Sequence, residues 1–371
     1  MTGAEPAPLD CFAVSAPGLE PITAGEVVAL RGAREVCAEP GGVRFVGDRA
    51  AVWEANLRLR TASRVLVRVA SFRARTFFEL ERHAGRIGWG DWLAPGVVPV
   101  FEVTSRKSKL YHQRGIAERL ARAVGPDRAG GEGEQLLVVR AVRDVFTVSV
   151  DSSGELLHRR GYRQEVAKAP LRETLAAALL LALEWNGSVP LVDPFCGSGT
   201  IPIEAALLAR DIAPGAGRGF GFERWPAHDA ARFTALRNAL AAAARPVVAT
   251  VVRGSDRDAG AVRAARENAA RAGVAADVSF REAALSSLEA PGSEGLLLTN
   301  PPYGVRVGDE AGLRDLFAAL GRLARERLPH WTIAMLSANP ALEAATGLRW
   351  VERFRTSNGG IPVRLLTHRA D

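Results

Sequence analysis

Apolar and polar residues alternate along this chain in two different rhythms, and the change comes near residue 156. Before it, short apolar runs at 11–14 and 43–46 flank a helix-like stretch at 22–30, and a second helical stretch covers 48–59. From Ala62 onward, residues 64–69 alternate basic with apolar side chains, the period-two signature of a half-buried strand. A helical 76–86, a strand at 98–103, the polar run 105–112 and a helix at 113–123 follow. Glycines near 130–133 mark a loop, and strands at 135–142 and 145–151 close the region.

Residues 156–163 form a basic turn between the halves. Beyond it, Pro170 opens a helix at 171–185 that Asn186-Gly187 ends. Strands at 189–192, 247–252, 277–280, 295–299 and 331–336 then alternate with helices at 200–210, 227–243, 259–272 and 312–328. Residues 215–225 are irregular and rich in Gly, Phe and Trp, and 350–355 pairs with 362–366 across Asn358-Gly359-Gly360 as a hairpin. Strands alternating with helices predict an α/β domain, a mostly parallel doubly wound sheet of Rossmann type with an antiparallel hairpin at its edge. An α+β region precedes it.

Composition narrows the class. A chain of 371 residues with 47% hydrophobic and 24% charged residues suits a globular protein of two or three domains. No apolar run reaches the roughly 18 residues of a membrane span. Residues 1–10 carry acids and prolines and no signal-like pattern, which predicts a cytoplasmic address and no membrane partner. The three cysteines, Cys11, Cys37 and Cys196, are too scattered for a disulfide framework or a zinc site, and the six histidines show no metal spacing. No metal and no obligate protein partner are predicted.

The net charge of +7 points toward nucleic acid, and it is uneven: 24 Lys+Arg face 19 Asp+Glu in residues 1–163, against 24 and 22 in 164–371. Residues 58–86 and 106–122 together hold 14 basic and three acidic residues, with serine, tyrosine and histidine between them. Such a mixture reaches phosphate oxygens, although a solvated helix face reads the same way.

Three strand ends carry candidate chemistry. Asp193-Pro194-Phe195-Cys196-Gly197-Ser198-Gly199-Thr200 joins a strand to a helix, and its glycines admit a ligand close to the backbone. The Gly-Lys-Ser/Thr ending of a P-loop is absent, and Pro202 stands where a dinucleotide fingerprint needs Gly or Ala. A carboxylate at the loop start repels a pyrophosphate and suits an ammonium. Asp256, in Gly254-Ser255-Asp256-Arg257, ends the next strand, where an acid grips ribose hydroxyls. Asn300-Pro301-Pro302-Tyr303-Gly304 follows the apolar run 295–299. Proline holds Asn300 and Pro301 extended, which fixes two acceptors, the Asn300 side-chain oxygen and the Pro301 carbonyl, beside an aromatic ring. Two acceptors and a ring suit a flat group that carries an amine. A surface Asn-Pro turn is the plainer reading of the same residues.

Together these residues resemble the class I S-adenosylmethionine-dependent methyltransferases: 193–200 matches their first motif, 254–256 the second, and 300–303 the fourth. The strand–Arg106-Lys107-Ser108-Lys109-Leu110-Tyr111-His112–helix order resembles the THUMP domain of RNA-modifying enzymes, which sits behind a ferredoxin-like segment. With His158 to Arg163, Ala169 to Ala176 and Phe222 to Trp225, the chain is similar to THUMP-containing RNA guanine-N2 methyltransferases, most of all the large-subunit (23S) rRNA branch in its unfused form. Glu173-Thr174 favours that branch over the tRNA enzymes of the same architecture.

The resemblance implies three regions: a ferredoxin-like segment at 1–62, a THUMP RNA-binding domain at 63–155, and a linker with methyltransferase domain at 156–371. It implies S-adenosylmethionine as cofactor, S-adenosylhomocysteine as product, and cofactor contacts from Thr174, residues 193–200, Ser255, Asp256, Arg257, Ala284 and Asn300. Asn300, Pro301, Pro302 and Tyr303 would position an exocyclic amine, with Tyr303 stacking on a flipped base. Arg106, Lys107, Lys109, His112, Arg159, Arg160 and Arg163 would contact RNA. Alanine stands at 284, where the family places an acid against the adenine amino group; Glu282 or backbone alone would take that role. Cys196 reads as a small loop residue, since the nucleophilic cysteine of cytosine-C5 enzymes lies elsewhere. DNA-adenine and protein-glutamine methyltransferases share the Asn-Pro-Pro-Tyr pattern, and a catalytically silent RNA-binding assembly factor would keep the fold. Those readings stay open at this point.

Overall fold

The computed structural model describes residues 8–125, 133–164, 171–302 and 310–369. The chain forms two compact units, one from the described residues up to Ser15 with Thr23–Leu157 and Arg218–Asn238, the other from Ala16–Ile22, His158–Gly217 and the described residues from Ala239 on. No helix among the described residues is long and apolar enough to cross a membrane.

The first unit contains β1 (Leu9–Val14), most of α1 (Glu20–Val28), β2 (Arg34–Glu39), β3 (Gly42–Gly47), α2 (Arg49–Arg58), β4 (Arg64–Arg73), α3 (Phe77–Ala84), β5 (Val98–Arg106), α4 (Gln113–Val124), β6 (Glu134–Val142) and β7 (Val145–Asp151). Its seven strands form one sheet in the order β2-β3-β1-β4-β7-β6-β5. β1 pairs antiparallel with both β3 and β4, so the sheet runs unbroken across the expected divide at 62/63. Local sequence sets the helix starts: Asp48 accepts from the Ala51 amide at 2.8 Å, and Thr76 with Glu79 forms a capping box on α3. β2 was not anticipated, because Arg34 to Glu39 is short, half charged and has no buried residue.

Residues 218–238, expected with the carboxy-terminal domain, belong to this unit. Large rings explain it. Phe222 packs against Trp53 at 6.2 Å and Phe233 at 4.9 Å between centroids, and the Trp225 indole donates to Gln135 Oε1 at 3.0 Å.

The second unit contains α5 (Glu173–Ala182), β8 (Leu191–Asp193), α6 (Thr200–Ala209), β9 (Val252–Asp256), α8 (Ala259–Arg271), β10 (Val278–Glu282), β11 (Gly295–Thr299), α9 (Glu310–Arg327), β12 (Trp331–Ser337), α10 (Pro340–Ala345), β13 (Val351–Asn358) and β14 (Ile361–Arg369), with α7 (Ala230–Ala243) spanning the boundary at 238. The sheet order is β10-β9-β8-β11-β12-β14-β13, parallel from β10 to β12, with β14 antiparallel to both neighbours. This is the expected doubly wound sheet with its hairpin.

Two details differ. α10 is additional, started by Asn339, whose side chain accepts from Ala341 and Leu342. The strand expected at 247–252 lies instead at Val252–Asp256, and Val247 and Val251 are exposed. Hydropathy misplaced it because the paired residues read Val-Arg-Gly-Ser-Asp. Gly254 must be small there, since a Cβ would lie 2.7 Å from the Phe280 ring and 3.0 Å from Cys196 Cβ. The strand order reverses between β8 and β11, so their carboxyl ends flank the switch point where open α/β sheets bind ligands.

Candidate functional site

The switch point is walled by carboxylates. Asp193 ends β8 and is buried, its Oδ1 accepting from the Phe195 amide at 3.1 Å and the Thr299 hydroxyl at 2.6 Å. Burial pushes its carboxyl up to about 7, against those two hydrogen bonds, and the Asp256 charge adds to the rise. Asp256 ends β9; its Oδ2 accepts from the Gly197 amide at 2.9 Å and its Oδ1 from the Asp258 amide at 3.0 Å. Carboxylate oxygens have two lone pairs each, so both keep acceptor capacity for ligand hydroxyls.

Between these acids lies the loop to α6. Gly197 (φ +51°) has nothing within 4 Å of where a Cβ would stand, so the loop is open there. At Gly199 (φ +85°) a Cβ would sit 2.9 Å from Ala265 and Phe280, so the loop is pressed against α8 and β10. The Gly197 amide is spent on a carboxylate, which leaves the loop poorly suited to a phosphate. An amino-acid ammonium and ribose hydroxyls fit this donor and acceptor set better. Pro194, Ser198 and Thr200 are buried, while Phe195 is half-buried against the α9 side of the core. Burial, followed by the Asp193 and Asp256 charges, raises the Cys196 thiol well above its usual range. A thiolate is disfavoured there, in keeping with a loop residue.

β11 delivers the third strand end. Leu296 and Leu297 pair with Leu191 and Val192, and the Thr299–Asp193 hydrogen bond locks the two carboxyl ends together. Asn300 is half-buried, Pro301 buried and Pro302 exposed. Tyr303 and Gly304 lie outside the described residues, as do Ala169 and Pro170. Thr299 was missed in the sequence because it ends an apolar run and looks like one more strand residue.

Beside β9 and β10 a cavity of roughly 200 Å³ is lined by Val192, Ser255, Glu282, Ala283, Ser287 and Leu288, among others. Glu282 pairs in register with Asp256, while Ala284 and Arg257 are exposed. Thr174 is buried on α5. No group of three or more His, Cys, Asp or Glu suited to a metal occurs among the described residues.

The predicted RNA contacts divide. Arg106, Lys107, Lys109 and His112 are exposed, with Tyr111 72% exposed beside His112. Asp144 holds their loop, accepting from the Lys109 amide at 2.7 Å and from Arg75 Nε at 3.0 Å, while its own amide donates to Ser108. Arg159 is also exposed. Arg160 and Arg163 are not: Arg160 lies 3.6 Å from Glu204 with its side chain 3% exposed, and Arg163 lies 3.1 Å from Glu173 and donates to the Leu171 carbonyl and the Thr200 hydroxyl. These two arginines hold the second unit together rather than face a polyanion.

The family described as "RMKL-like, methyltransferase domain" matches residues 160–367. The chain belongs to the RMKL-like methyltransferases. Residues 10–66 match the RlmL ferredoxin-like domain. An RNA methyltransferase of Synechocystis sp., provisionally so named, is 36% identical over 96% of this chain and 96% of its own length. The ribosomal RNA large subunit methyltransferase K/L of Syntrophotalea carbinolica is 38% identical over 97% of this chain, which spans only 53% of that longer relative. The crystal structure of SMU.472, provisionally named a methyltransferase and complexed with S-adenosylhomocysteine (SAH), superposes with a TM-score of 0.90 at 30% identity, covering 99% of both chains.

Proposed function

We propose that this methyltransferase uses S-adenosylmethionine to methylate the exocyclic N2 amine of a guanosine in 23S rRNA, giving N2-methylguanosine and S-adenosylhomocysteine. The observation that carries the reading is the Thr299–Asp193 hydrogen bond, which sets Asn300 and Pro301 beside the carboxylate-walled loop. Asp193 would hold the cofactor's ammonium, residues 194–200 its amino-acid portion, and Asp256 its ribose, with Ser255 and Glu282 near the adenine. The bound cofactor supplies a methyl group activated on a sulfonium.

The chain's own residues do the positioning. Guanine's amine is a weak nucleophile, because its lone pair is delocalised into the ring. The Asn300 side-chain oxygen and the Pro301 carbonyl would accept its two N–H bonds, orienting the lone pair and favouring a pyramidal nitrogen. Pro302 stiffens that loop, and Tyr303 would stack on the flipped base. With a good leaving group, methyl transfer can come first; the methylated nitrogen is then a strong acid and releases its proton to water, so no strong general base is required.

RNA as the substrate is supported by the exposed cations and rings at 106–112, in the region read as a THUMP domain at 63–155, and by the names of the two relatives. The large-subunit relative covers nearly all of this chain, which favours rRNA over tRNA. The test is Asn300→Ala. Methyl transfer should fall by about 10²–10³ or more, while SAH binding measured by calorimetry is retained. Full activity in that variant would remove Asn300 from the site and with it the amine reading.

A further inference from the structure

We infer that Asn268 is a positioning residue that clamps the Gly197-Ser198-Gly199 backbone in the geometry that receives the cofactor's amino-acid portion, which rests on the reading of that loop given above. Both glycines have positive φ, so this stretch lacks the steric restraint that side chains impose and needs hydrogen bonds to stay in one conformation. Two of them are local or already described: the Gly199 amide donates to the Cys196 carbonyl at 2.8 Å, and the Gly197 amide donates to Asp256. Another comes from α8. Asn268 Nδ2 donates to the Ser198 carbonyl at 3.0 Å from a side chain with no exposed surface.

The amide can face only one way. Arg271 Nη2 donates to Asn268 Oδ1 at 2.6 Å, and a guanidinium has no acceptor, so the oxygen must lie on that side. The nitrogen then points at a carbonyl, which can only accept. Arg271 is fixed in turn by donating through Nε to the Tyr162 carbonyl at 2.8 Å, and the Tyr162 hydroxyl donates to Glu204 Oε1 at 3.1 Å. Asparagine inside a helix is a mediocre former and costly to bury, and this one lies next to Ala269 and Ala265 on the buried face of α8. A polar residue on that apolar face was the available sequence signal. Only a side chain with one donor and one acceptor serves both the loop and Arg271.

The test is titration of the full-length protein with SAH. Binding by the unmodified chain establishes that the protein takes the cofactor, and its absence would count against the reading of the loop alone. Asn268→Asp keeps the shape and the acceptor for Arg271 and loses the donor to Ser198. The SAH dissociation constant should then rise about tenfold, the size of one buried hydrogen bond. KM for S-adenosylmethionine should rise in parallel, with kcat at saturating cofactor and KM for RNA within about twofold. Unchanged SAH affinity in the folded variant, or a lost kcat with unchanged cofactor KM, would overturn the inference. If Asn268→Asp does not fold, Arg271→Ala frees the amide to turn and should raise the same constant about threefold; no change there would overturn it equally.

Discussion

Two basic tracts of this chain look alike as sequence and differ completely as structure. Residues 105–112 carry Arg106 at the end of β5 and Lys107 and Lys109 on the exposed loop after it, held through backbone amides and Ser108 by Asp144 so that the cations themselves stay in solvent. Residues 158–163 turn two of their three arginines inward, against Glu204 and Glu173. What separates them is the position of the acids. In the first tract one carboxylate binds the main chain; in the second, two carboxylates from α5 and α6 receive the guanidinium groups. A run of positive charge is therefore evidence for a polyanion partner only after its carboxylates have been located.

The largest effect should come from breaking the buried tract. Arg160→Ala leaves the buried Glu204 without its guanidinium partner, though still bonded to the Tyr162 hydroxyl, and should cost about 3–5 kcal/mol of stability, read as a large drop in melting temperature. Equal stability in that variant would erase the contrast. Changing Arg106, Lys107 and Lys109 together to alanine should leave the melting temperature unchanged. It should weaken RNA binding and flatten its salt dependence by about 0.7 per lost phosphate contact. An unaltered salt slope would mean that the exposed tract is merely a solvated face.

The smallest effect concerns a buried acid of the site. Asp193 has its carboxyl raised to about 7 from an ordinary 3.8, so the folded chain keeps a proton that the unfolded chain has already released between those values. Its contribution to fold stability therefore falls as pH rises through that window, while affinity for a cationic ammonium rises through it. SAH titrations from pH 5.5 to 8 should show affinity increasing by up to roughly tenfold per unit below the carboxyl's pKa, and Asp193→Asn should bind weakly and without that slope. A flat profile in the unmodified chain would separate Asp193 from the ammonium.

Much of this was legible in the residues, for reasons of period and strand-end chemistry. Alternating helices and strands gave the parallel sheet, and that topology alone brings Asp193, Asp256 and Asn300 to one edge. The short-range signals failed where tertiary packing decides. β9 reads as polar because Gly254 must clear Phe280, and β2 is short with no buried residue to announce it. Residues 218–238 join the first unit through rings contributed by distant residues, which no local pattern encodes. Removing the amino-terminal half would strip those rings of their partners, so point substitutions test RNA binding more cleanly than truncation. Within the site, Thr299 and Asn268 went unseen because their partners lie 106 and 70 residues away.

The identity of the methylated atom is tested most directly on the RNA itself. Purified protein, labelled S-adenosylmethionine and RNA from a strain lacking the gene should be combined, the 23S rRNA and tRNA separated, and each digested for nucleoside mass spectrometry. Label is expected in N2-methylguanosine from 23S rRNA. Label in N6-methyladenosine, label confined to tRNA, or no transfer to any RNA would contradict it.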